Sequence, residues 1–159
     1  MKIDVNLVNP FFSAFYERVK ELVPENVSFQ LGEFHIREEP YTSLDINVLC
    51  SITGEFNGKT VMSMDTRVAL EIAEIMFGRP VDSFESDAQS AVTELMNIII
   101  GNSITRLGKS MEGLRFTPTK LVYGRPVNTT IGPSSFTFCR AIQTGWGIIE
   151  FNLSLDTKE

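Results

Sequence analysis

Ser90–Pro118 reads SAVTELMNIIIGNSITRLGKSMEGLRFTP: a segment with helical periodicity, a glycine, then a turn into an extended stretch. The spacing predicts a helix that starts behind Ser86, with Gln89 completing an S-x-x-Q capping box, and that stops at Gly108, where a left-handed cap is cheap. About twenty residues make roughly 30 Å of helix. At about 100° per residue, Ala91, Leu95, Ile98 and Ile99 cluster on one side with Val92 and Met96 beside them, which is a core face. Ser90, Glu94, Asn97, Gly101 and Gly108 fall opposite, with Thr93 and Ile104 at the margin. An ordinary solvated face carries Lys, Glu, Arg and Gln. This one is small apart from one carboxylate and one carboxamide. Gly101 in mid-helix costs about 1 kcal/mol relative to Ala. Such a face suits close approach, either by another molecule or by a second helix of the same fold.

Glu94 and Asn97 are spaced i, i+3 and project as neighbours. A carboxylate can hold a cation, and a carboxamide can both accept from and donate to a water. Together they could position a nucleophilic water beside a positive group, the role a Gln plays in GTP hydrolysis. An E-x-x-N pair alone is common, and two exposed polar residues without a task would look the same. The longer pattern is more specific. Ser90, Glu94 and Asn97, followed twenty-one residues later by Pro118, resemble the signature of the CheC/CheX/FliY family of chemotaxis phosphatases: Asp or Ser, three residues, Glu, two residues, Asn, then about twenty residues to a Pro. SAVTELMNIIIG and RFTPTKLVYGRP resemble the CheX branch in particular. So does ITGEFNGKTVMSMDTRVALEIAEIMFG upstream, so the resemblance covers most of the chain.

The resemblance implies a phosphatase acting on a phosphorylated response regulator of the CheY kind, in chemotaxis or another two-component pathway. Asn97 would orient the attacking water and Glu94 would pair with the regulator's lysine. Ser90, Thr93 and Gly101 would lie against the partner. Mg²⁺ would be held by the regulator's own acidic residues, with no cofactor of this chain's own. CheX-type members pair through their sheets, so a homodimer is expected. Two alternatives stay open here: a module that binds a regulator without hydrolysing its phosphate, and a structural subunit of a motility or signalling assembly.

The composition agrees with one folded domain over residues 1–159, 43% hydrophobic and 21% charged. Asp4, Asn6 and Asn9 leave no apolar region for a signal peptide, and no apolar run is long enough to span a membrane. A net charge of −6 argues against broad binding to nucleic acid or anionic lipid. Cys50 and Cys139 form no C-x-x-C, and a cytoplasmic protein with reduced buried thiols is expected, with a disulfide left open. His35 is the only histidine, without the partners a metal site needs. There is no G-x-S-x-G and no Walker-type loop.

Around the central helix, Asn9 and Pro10 predict the start of a first helix that Pro24 ends, with Phe11, Phe15, Val19 and Leu22 on one face. It carries no E-x-x-N, so one site per chain is expected. Val27, Phe29 and Leu31 alternate, as do Phe34 and Ile36, and Ile46, Val48, Cys50 and Ile52. Asn57-Gly58 predicts a hairpin turn before Thr60–Met64. A helix over Thr66–Phe77 follows, with Val68, Ile72, Ile75 and Met76 on one side and Gly78 at its end. Phe116–Tyr123 reads as an edge strand because Pro118 interrupts it. Residues 124–126 and 132–133 read as loops. Phe136–Ile142 and Trp146–Leu155 read as a hairpin about Thr144-Gly145. The order predicts an α+β domain: one long, mainly antiparallel sheet with helices on one face. Lys109 and Arg115 flank the long helix's exit, as docking residues or plain solvated surface.

Overall fold

A computed structural model describes residues 5–38, 41–108, 113–124, 128–129 and 137–156. The first helix, α1 (Val5–Leu22), buries Phe11, Phe12, Ala14, Phe15 and Val19. It begins before the expected Asn9 cap, and Pro10 lies inside it. Proline is tolerated there because it sits close to the start and removes only one ladder donor. Three short strands follow: β1 (Phe29–Leu31), β2 (His35–Arg37) and β3 (Tyr41–Thr42).

The long strands β4 (Ile46–Thr53) and β5 (Asn57–Met64) form a hairpin whose bend is at residues 54–56, not at Asn57-Gly58. Gly58 is a ladder residue, opposite Ile52 on one side and Leu155 on the other. A Cβ there would stand 3.1 Å from the Ser154 carbonyl oxygen, so this glycine serves close strand approach rather than a turn.

Helix α2 (Thr66–Phe77) has the expected bounds. It ends on Gly78 in the left-handed region, whose N–H donates to the Glu74 carbonyl. Its buried face is Val68, Ala69, Ile72 and Ala73, while Ile75 is exposed. Helix α3 (Ser86–Leu107) follows. The remaining strands are β6 (Arg115–Phe116), β7 (Lys120–Tyr123), β8 (Asn128–Thr129), β9 (Thr137–Thr144) and β10 (Gly147–Asp156). The turn between β9 and β10 is Gly145-Trp146, one residue later than expected, because Thr144 pairs with Gly147.

The main sheet runs β1-β9-β10-β5-β4-β6, with β2 also on β9 and β7 also on β4, every pairing antiparallel. A separate pair joins β3 to β8, which nothing in the local sequence announces. The three helices pack on the sheet in one core. Ile46, Val48, Cys50, Ile52, Met62, Met64, Ile149, Phe151 and Leu153 supply its floor. Phe151 meets the rings of Phe12 and Phe15 at 5.4 Å each. Each such fully buried side chain contributes on the order of 2–3 kcal/mol of apolar transfer energy. This is the expected α+β architecture. It holds α3 against α1, α2 and β4 with its opposite side outward.

Candidate functional site

Helix α3 buries Ala88, Ala91, Val92, Leu95, Met96, Ile99, Ile100 and Ser103. Ile100 replaces Ile98, which is half-buried, on the core face. Ser86 is the first helical residue and not the cap; Glu85 occupies that position without a side-chain cap bond. Asp87 in the first turn is ion-paired with Arg79 at 2.6 Å, and Arg106 in the last turn is paired with Glu17. Both charges suit the helix dipole. Gly108 ends the helix at φ 80° but ψ −170°, so its positive φ is used without a left-handed cap.

The outward stripe is as the periodicity predicts. Ser90 and Glu94 are exposed, and Thr93, Asn97 and Gly101 are half-buried. Among the described residues, Ser90, Glu94 and Asn97 have no internal side-chain hydrogen bond or ion pair. A Cβ at Gly101 would meet nothing within 4 Å. Among the described residues no helix packs closely on this glycine, so close helix–helix approach there does not explain it. Thr93 is different: its hydroxyl donates to the Gln89 carbonyl at 2.8 Å, which leaves only its methyl and acceptor lone pairs outward.

Beside this stripe lies β7. Tyr123 is opposite Ile46 and Leu121 opposite Val48, so both side chains are on the helix side of the sheet. The amide of Gln89 donates to the Tyr123 hydroxyl at 3.1 Å, and the Tyr123 ring meets Phe84 edge-on at 5.0 Å. Ser86, Gln89, Ser90, Thr93, Glu94 and Leu121 line an open depression of about 480 Å³. Gln89 and Tyr123 were not among the expected site residues. Gln89 reads locally as a capping residue, and its partner is thirty-four positions away.

Pro118 is exposed in the gap between β6 and β7. Thr117 bridges this gap on the β4 edge: its N–H donates to the Ser51 carbonyl, and its hydroxyl accepts from the Ser51 N–H at 3.0 Å. The hydroxyl thus takes the acceptor place that a strand carbonyl would fill opposite the Ser51 N–H. Arg115 is exposed on β6, and Lys109 lies outside the described residues, as do positions 125–126 and 132–133.

The most perturbed titratable group lies elsewhere. On the sheet face away from the helices, burial and then the neighbouring Glu150 carboxylate push the Cys139 thiol up to about 12. Burial likewise raises Cys50, offset in part by hydrogen bonds to Thr117. Both cysteines are free and buried. His35 is exposed, its Nδ1 3.2 Å from the Glu33 carbonyl oxygen. No group of three or more His, Cys, Asp or Glu among the described residues could hold a metal. No helix among them is long and apolar enough to cross a membrane.

The family model described as chemotaxis phosphatase CheX matches residues 46–135, more than half of the chain. The chain belongs to the CheX family. No curated protein matches it in sequence. Among solved structures, CheX from Desulfovibrio desulfuricans is similar at TM-score 0.81 and 18% identity, over 94% of this chain and 99% of that one. A CheC-like chemotactic protein from Shewanella oneidensis reaches TM-score 0.86 at 15% identity, over 97% and 100%. The Borrelia burgdorferi chain in a CheX–CheY–BeF3–Mg²⁺ complex reaches 0.80 at 23%, over 98% and 100%. At these identities the structural likeness establishes the CheX/CheC fold.

Proposed function

We propose that this chain removes the phosphoryl group from the aspartyl phosphate of a CheY-like response regulator, using the outward face of α3. The observation that supports it most is the pairing of Glu94 and Asn97 one turn apart on a bare helix face, with neither side chain engaged inside the fold. Polar groups held out by a rigid helix and left without internal partners are available to a second molecule.

The chemistry asks little of the catalyst. Water attacks phosphorus, the P–O bond to the acyl oxygen breaks, and inorganic phosphate and a free carboxylate leave. A carboxylate is a good leaving group, so positioning and charge stabilisation suffice. Asn97 accepts from the water and orients its lone pair in line with that bond. Glu94 takes the regulator's lysine as an ion pair and sets the register. Ser90 and Gly101 keep the helix surface low enough for the phosphoryl group to approach. Mg²⁺ belongs to the regulator's own carboxylates and neutralises phosphoryl charge there. A homodimer formed through the sheets and action in the cytoplasm complete the reading.

The test is the phosphate lifetime of phosphorylated CheY-like regulators from the same organism. Wild-type protein shortens it, and Asn97→Ala cuts that acceleration about a hundredfold or more. Glu94→Ala acts mainly by raising KM. A wild-type protein that binds a regulator without shortening the lifetime of its phosphate overturns the enzyme reading.

A further inference from the structure

We propose that Tyr123, held in place by Gln89, is a docking residue for the phosphorylated receiver domain, and that the depression between α3 and β7 is part of the regulator's footprint. This rests on the function proposed above and extends it from the helix to the sheet edge. Tyr123 is 54% exposed, yet it is fixed at three points. Its hydroxyl accepts from Gln89, its ring edge rests on Phe84, and its backbone is paired in β7 against Ile46 of β4. An aromatic ring that is exposed but already immobilised loses little rotamer entropy on binding, the property that makes tyrosine an interface anchor.

Its position selects the occupant. Tyr123 meets α3 at Gln89, five residues before Glu94, about 7–8 Å along the helix axis. The depression beside Gln89 is lined by Ser90, Thr93, Leu121 and Glu94, and the Glu94 carboxylate has no cation among the described residues. Toward the other end of the stripe a Cβ on Gly101 would meet nothing within 4 Å among the described residues. A partner seated with its phosphoryl group at Asn97 and its lysine on Glu94 is within reach of the fixed Tyr123 ring at the Gln89 end of the stripe. The surface fits a folded phosphoprotein with a cationic side chain near its phosphoryl group.

The experiment measures steady-state turnover of phosphorylated regulator, and binding of the same regulator loaded with beryllofluoride and Mg²⁺, for wild type and variants. Tyr123→Ala is expected to raise KM and Kd about tenfold or more with kcat nearly unchanged. Tyr123→Phe and Gln89→Ala, which loosen the ring without removing it, are expected to raise both about two- to threefold. Tyr123→Leu keeps an apolar strand residue and is expected to fall with Tyr123→Ala, which guards against a folding effect. Val122→Ala, on the other face of the same strand, is expected to change neither. If Tyr123→Ala and Tyr123→Leu bind as wild type while Asn97→Ala is still inactive, the docking inference falls and the enzyme reading stands. If wild type binds without turnover but Tyr123→Ala loses binding, the enzyme reading falls and the docking surface stands. A Tyr123→Ala protein whose mass in solution halves assigns the surface to a second copy of this chain and overturns the inference.

Discussion

Two polar clusters of this molecule look alike in composition and differ in what their groups do. On the sheet face away from the helices, Arg37 donates to Glu150 at 2.8 Å and to Asn152 at 3.0 Å. Asn152 in turn donates to the Val61 carbonyl, and the Cys139 sulfur lies 3.8 Å from the other Glu150 oxygen. Glu150 is 5% exposed and Asn152 fully buried. On α3, Glu94 and Asn97 have comparable chemistry, but Glu94 is exposed, Asn97 only half-buried, and neither side chain has an internal partner among the described residues. The first cluster contains the perturbed thiol, the second the proposed chemistry. A raised pKa here marks burial within a satisfied network, and function is better marked by polar groups that the fold holds rigid and leaves unused.

The sharpest way to break this contrast is a pair of truncations with opposite signatures. Asn97→Ala should lower turnover about a hundredfold while moving stability in urea by less than about 0.5 kcal/mol. Glu150→Ala should do the reverse. It removes the carboxylate that Arg37 meets at 2.8 Å in a part-buried network, and a loss of about 2–3 kcal/mol is expected, since Arg37 keeps some contact with solvent. Turnover per folded molecule should hold. Equal effects of both variants on stability would remove the distinction.

Alkaline pH gives the next test. The Cys139 pKa is raised in the folded state, from 9.0 to about 12. Folding therefore favours the protonated thiol, and that contribution is complete below about pH 9. It is lost as pH rises from there toward 12, at up to about 1.4 kcal/mol per pH unit. Urea denaturation at several pH values should show a shallower decline for Cys139→Ala than for wild type, with turnover at neutral pH unaffected. Parallel curves would show that the thiol is not held protonated by the fold.

The smallest effect is expected at Gly101. A methyl group there meets nothing within 4 Å among the described residues and improves helix propensity, so Gly101→Ala should raise stability by about 0.5–1 kcal/mol. If the regulator approaches closely at this point, KM should rise several-fold at the same time. A variant that is both more stable and fully active would show that the partner never comes near this turn.

The ends of α2, the end of α3 and the buried alternation Ile46-Val48-Cys50-Ile52 were legible because each depends on local chemistry: a glycine stop or a two-residue period. Asn57-Gly58 has the composition of a turn, yet its place is in the ladder, where strands on both sides need a residue without a side chain. Ile75 fits the apolar side of α2, but whether a flanking residue is covered depends on how the helix rolls against α3. Ser86 has a capping residue's chemistry, and the helix begins one residue earlier than that chemistry requires.

By itself, the order of residues determined the α+β class and the outward row of Ser90, Glu94, Asn97 and Gly101, because helical period and side-chain size are properties of the chain alone. Only the tertiary structure decided that Ser90, Glu94 and Asn97 keep no internal side-chain partner among the described residues, that Thr93 turns its hydroxyl back to Gln89, and that Tyr123 stands beside the row. The physical reason is range. Period, caps and propensity act over one or two turns, whereas coverage depends on which elements the shared core draws together. Gln89 and Tyr123 meet because α3 and β7 both pack on β4, and no local pattern records that meeting.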